Sequence, residues 1–159
     1  MAEHEETSLT ATMLGVATLL LIMAIVIIVA LAVRPSGGIT VPKGYSVVHL
    51  TTTDFAIQAP KTLPAGKYEV IVTNRGAQAH EIVMWATHVP SRSLPLEKSG
   101  DVNEDASPLG ESVLDTGSSL DPGESRVLFA ELSQPGHYVL VCNLPKHYRL
   151  GMHEDLVVH

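Results

Sequence analysis

Apolar positions along this chain fall into two regimes. Residues 13–33, MLGVATLLLIMAIVIIVALAV, form one unbroken run without a charge. As a helix rising 1.5 Å per residue, a run of this length reaches roughly 30 Å, the depth of a bilayer core. The pattern predicts a single N-terminal transmembrane helix. A short polar tail over 1–12, carrying Glu3, Glu5 and Glu6, precedes it, and a linker over 34–43 with two prolines and two adjacent glycines follows. A cleaved signal peptide is the alternative, because Ala30-Leu31-Ala32 has the small-x-small form of a cleavage site. Against it, no Lys or Arg precedes the run, and the run is long.

From residue 44 the period changes to two. Short runs at 45–50 (YSVVHL), 54–60 (DFAIQAP), 67–74 (KYEVIVTN), 80–86 (HEIVMWA), 126–132 (RVLFAEL), 137–143 (HYVLVCN) and 154–159 (EDLVVH) are set off by turn signals such as LPAG, NRGAQ, LDPGES and QPG. Many short strands without a long amphipathic helix predict an all-β sandwich over 44–159. Residues 90–123 break the rhythm. Glu97, Asp101, Glu104, Asp105, Glu111, Asp115 and Asp121, with Glu124 just beyond, outnumber Arg92 and Lys98. The expectation is a long loop with a helical turn and one edge strand near 112–114. It forms a solvated acidic face, or else a docking patch or lid over one sandwich edge.

Composition narrows the function classes. A formal net charge of -7 gives no electrostatic footprint for nucleic acid. A single cysteine forms no internal disulfide. The 12 glycines and 10 prolines suit a turn-rich β domain. The chain has no GxGxxG, phosphate loop, HExxH or CxxC, so nothing in it asks for a nucleotide, a zinc protease or a dithiol.

The chemistry gathers at the C-terminal end. Cys142 closes an apolar run, His147 follows five residues later, and Met152 five after that. A strand, loop and strand of this size can turn thiolate, imidazole and thioether toward one point. Two His, one Cys and a weak axial Met make the donor set of copper electron-transfer sites. Zinc accepts Cys and His but rarely a thioether, and haem lacks its CxxCH attachment. The second histidine is sought among the remaining seven. His4 precedes the apolar run. His153 and His137 sit at odd separations from Met152 and Cys142, which turns them to the opposite face of an extended chain. His80 opens a strand directly after the NRGAQ turn, where a second strand can deliver it, and is the candidate. Met84 shares its parity but reads as core, as does Trp85. The readings that remain beside copper are a buried structural thiol, a Cys-His nucleophile pair without a visible third group, and a purely structural interaction domain.

The segment GHYVLVCNLPKHYRLGM, 136–152, resembles the ligand loop of the cupredoxins, the blue copper family of plastocyanin, azurin and rusticyanin. Its Cys-x4-His-x4-Met spacing is most similar to that of rusticyanin and sulfocyanin-like proteins. The resemblance implies a cupredoxin-like Greek-key β-sandwich. It implies one copper per chain, held by His80, Cys142, His147 and Met152, and an electron carrier without enzymatic activity. It also implies that Asn143 ties the two ligand loops together. Ala79 departs from the pattern, because many members carry Asn or Ser before the first histidine. A membrane-anchored copper chaperone or storage module on the same fold is the rival function. The one cysteine excludes a two-Cys binuclear centre. Arg34 and Lys43 lie just past the apolar run and by the positive-inside rule favour a cytoplasmic domain. A copper-thiolate site suits the other side. The expectation is a single-pass cell-membrane protein with an extracytoplasmic C-terminal domain, working with redox protein partners in an extracytoplasmic or membrane electron-transfer chain.

Overall fold

The computed structural model describes residues 41–159. The expected transmembrane helix at 13–33 lies outside them. Among the described residues no helix is long and apolar enough to cross a membrane. Among the described residues nine strands form two sheets: β1 (Tyr45–Thr53), β2 (Ala56–Gln58), β3 (Thr62–Leu63), β4 (Gly66–Asn74), β5 (Val83–Ala86), β6 (Leu114–Asp115), β7 (Ser125–Leu132), β8 (Gly136–Val141) and β9 (His153–Val158). One sheet runs β2-β1-β4-β7, the other β3-β9-β8-β5-β6. β1 lies parallel to β4, with Val48 opposite Val70 and Leu50 opposite Val72. Those residues, with Ala130 and Leu132 of β7, face Met84, Tyr138, Leu140 and Leu156 of the second sheet across one core. The alternation that marked β1 and β7 is the signature of one buried face per strand, while β4 also buries Glu69 on its other face.

β5 and β8 do not alternate, for a structural reason. Their inner residues Met84 and Leu140 enter the main core, while Val83, Trp85, Val139 and Val141 form a second cluster on the outer face. Leu94, Val102, Leu109 and Tyr148 cover that face. The acidic stretch is therefore a third layer over a sheet face, and not a lid over an edge. It holds a 3-10 turn at Ser91–Ser93 and the edge strand β6, close to the expected helical turn and edge strand.

Three local expectations shift. Asp54 and Phe55 are the two-residue turn between β1 and β2, since Thr53 pairs with Ala56. β3, at Thr62–Leu63, was not expected, and it takes the first residue of the LPAG turn signal. His80 precedes its strand: it makes an isolated bridge with Leu120, and the Ile82 amide donates to Thr116 Oγ1 rather than to a neighbouring strand.

Candidate metal centre

Two segments deliver the candidate donors to one end of the sandwich. The first is the loop from Asn74 to His80. Asn74 is fully buried. Its Nδ2 donates to the carbonyls of Gln78 (2.7 Å) and Leu120 (2.9 Å), and its Oδ1 accepts from the Gly76 amide at 2.8 Å. The bridge to Leu120 then fixes the His80 backbone, with N–H···O distances of 3.1 and 2.7 Å.

The second segment is the loop from Cys142 to Met152. The Cys142 amide donates to the Met152 carbonyl at 3.0 Å, and the Met152 amide to the His147 carbonyl at 3.1 Å. A 3-10 turn at Tyr148–Leu150 shortens the path between them, and Gly151, at φ 100°, reverses the chain into β9. Glycine suits that left-handed position. Lys146 also takes a positive φ, 73°, and its amide donates to Asp101 Oδ1 at 3.0 Å.

These frames bring His80, Cys142 and His147 together, with one donor atom from each within 4.8 Å of the other two. His80 Nδ1 and His147 Nδ1 face each other at 3.2 Å, and Cys142 Sγ lies 3.3 Å from His147 Nδ1. Nitrogen and sulfur donors bound about 2.0 and 2.3 Å from one small ion stand roughly 3.2–3.6 Å apart at ordinary coordination angles, so the spacing fits a shared ion. His80, Cys142 and Met152 are 0% exposed and His147 9%. Met152 is bound through its backbone to both loop partners, and its side chain packs in the same cluster as Cys142. His137 and His153 point elsewhere, as their parity predicted: His137 bonds Thr87 and Asp155, and His153 bonds Ser91.

Burial pushes the Cys142 thiol up, with the Glu81 and Leu144 amides pulling the other way. Burial also lowers the His147 ring, and the neighbouring His80 adds to that. A dry pocket with a buried thiol that ionises when a cation arrives is the ordinary state of a soft metal site before loading. Two imidazoles, one sulfur and a buried thioether form a plausible site for a single type 1 copper.

Several contributors escaped the sequence. Asp54 Oδ1 accepts from the Ala77 amide (2.9 Å) and the Gln78 amide (3.2 Å) and faces His80 Nε2 at 3.2 Å. The sequence places it at the head of the expected strand 54–60, with nothing to mark it as a partner of His80. The Glu81 amide donates to Cys142 Sγ at 3.4 Å, so the sulfur has a backbone donor although Ala79 offers no side-chain one. Asn143 does not tie the two ligand loops through its side chain. It clasps Val102 on both backbone groups, at 2.6 and 3.0 Å, and donates to Glu104 Oε1 at 2.7 Å, fixing the cysteine end to the acidic layer.

Solved structures share this architecture. Auracyanin from the photosynthetic bacterium Roseiflexus castenholzii matches 73% of this chain and 99% of its own, at 22% identity and TM-score 0.55. Auracyanin A of Chloroflexus aurantiacus, described as a "blue" copper protein, matches 73% of this chain and 100% of its own, at 17% identity and TM-score 0.51. Rusticyanin from Thiobacillus ferrooxidans matches 71% of this chain and 77% of its own, at 18% identity and TM-score 0.51. The described domain has a cupredoxin fold. The rusticyanin-like loop spacing does not translate into a special closeness to rusticyanin, since the auracyanins match with TM-scores and coverage at least as high. No protein-family model and no curated protein matches the chain.

Proposed function

We propose that this cupredoxin-fold domain carries single electrons on one type 1 copper, which His80, Cys142 and His147 would hold with Met152 as a weak fourth donor. The observation that supports it most is the convergence of three buried donors on two loops whose backbones are already fixed by hydrogen bonds. When bound, copper supplies a one-electron couple. The chain's residues keep the site dry, hold both imidazoles in place and give the sulfur a backbone donor. A preformed frame of this kind limits rearrangement between oxidation states, which favours a carrier over a chaperone and leaves no catalytic role to assign.

The apolar segment 13–33 tethers the domain to a membrane, residues 34–43 act as linker, and the domain at 44–159 meets redox partners outside the cytoplasm. The charge-free length of the segment supports this reading.

The test is voltammetry of the full chain in detergent, beside a Cu(I) transfer assay to a chelator. A reversible one-electron wave with copper retained supports the carrier. Release of Cu(I) within seconds replaces it with a chaperone or storage module. Protease digestion of intact cells tests the orientation: a C-terminal domain cut only after lysis overturns it.

A further inference from the structure

The Asp54–Phe55 turn touches both candidate histidines. Asp54 meets His80, and the Phe55 ring stands edge-on to His147, with centroids 5.4 Å apart at 85°. Phe55 holds a left-handed φ of 63°, uncommon for a non-glycine residue. Strained backbone of this kind persists where surrounding contacts fix it.

Asp54 is exposed, yet its Oδ1 reaches a ring that is wholly buried. Gly76 makes the approach possible. A Cβ there would stand 2.5 Å from Asp54 Oδ1 and 2.7 Å from His80 Nε2. A carboxylate only accepts hydrogen bonds, so the ring nitrogen facing it carries the proton. His80 Nδ1 is then left with its lone pair turned toward His147 and Cys142. Among the described residues, Asp54 is the one hydrogen-bond partner of His80 Nε2.

We propose that Asp54 is the positioning residue of the site: it fixes His80 as the Nε2–H tautomer with Nδ1 aimed at the metal, and its negative charge favours Cu(II) over Cu(I). An ordinary turn aspartate would accept the Ala77 and Gln78 amides and stop there. The third contact, to a buried imidazole 26 residues away, needs another account. Carboxylates that receive the second ring N–H of a ligand histidine orient it and raise its basicity.

This inference rests on the copper reading above, and the test separates the two. Full-length wild type, Asp54→Asn and Asp54→Ala are compared in three ways: nitrogen NMR of the His80 ring without metal, Cu(II) affinity, and reduction potential. Wild type is expected to show the Nε2–H tautomer before any copper is added. Asp54→Ala should lose that preference and about 10–100-fold in Cu(II) affinity. Asp54→Asn keeps an oxygen acceptor for the two amides but removes the charge, so its potential should rise and its Cu(II) affinity should fall by a smaller factor. An Asp54→Asn protein with wild-type potential and affinity overturns the proposal, whatever Asp54→Ala does. So does an Nδ1–H tautomer in the metal-free wild type. Failure of wild type to bind copper sinks the copper reading instead, and leaves the tautomer result to stand alone.

Discussion

His80 Nδ1 and His147 Nδ1 face each other at 3.2 Å, though 67 residues separate them in the chain. Neither ring is free to turn away, because each is buried and each segment is held by its own backbone bonds. Replacing either with Ala should leave a cavity at the metal position. Copper affinity should fall by more than the about 10–100-fold typical of losing an outer-shell partner. Added imidazole should enter the gap and restore part of the colour. Equilibrium dialysis with and without imidazole checks this, and wild-type affinity in either variant contradicts it.

Met152 is wholly buried beside Cys142, so its substitution changes the donor without opening the site to water. Met152→Leu removes the thioether and should raise the reduction potential while keeping the blue colour. Met152→Gln supplies a harder oxygen and should lower it. Voltammetry of the two variants beside wild type reads the order. A potential insensitive to residue 152 removes Met152 from the axial position.

The acidic layer is expected to be structural through its few apolar residues. Leu109 is 3% exposed and packs with Trp85, Val139 and Val141. Leu109→Ala should cost about 2–5 kcal/mol, as buried leucine truncations do. Chemical denaturation of the metal-free protein, followed by Trp85 fluorescence, measures it. A loss within the roughly 0.5 kcal/mol of an ordinary surface change would return this stretch to a solvated loop.

Asp155 joins β9 to the layer. Its carboxylate accepts from the Ser91 amide and hydroxyl, each at 2.8 Å, and from His137 at 2.8 Å. Burial pushes its carboxyl up, but these partners outweigh that and the net shift is down. A lowered folded pKa gives stability that is complete above the unfolded value, about 3.9, and is lost as pH falls through the folded value. Asp155→Asn should therefore be less stable than wild type at neutral pH, and the gap should close below about pH 4. Thermal melts from pH 7 to pH 3 test this, and a gap that does not change with pH contradicts it.

Much of this was legible in the sequence, and the exceptions share one cause. β1 and β7 bury one face and announce themselves by alternation, and β4 does so apart from Glu69, which is buried on its other face. Cys142, His147 and Met152 stand out because their chemistry and spacing are local. His80 follows from parity and its turn. Asp54 was invisible as a partner of His80, since the link is made by the fold across 26 residues and not by a motif. The third layer was hidden likewise. Leu94, Val102 and Leu109 recur without a strand or helix period, and only the doubly buried faces of β5 and β8 give them a surface to cover.

The central claim is that Cys142, His80 and His147 hold one copper through a thiolate. Cu(II) titration of the full-length chain, followed by visible absorption, tests it most directly, with Cys142→Ser as the partner experiment. An intense visible sulfur-to-copper band that saturates at one copper per chain is expected, with no such band in Cys142→Ser. Saturation without colour, or a band that survives the loss of the sulfur, contradicts it.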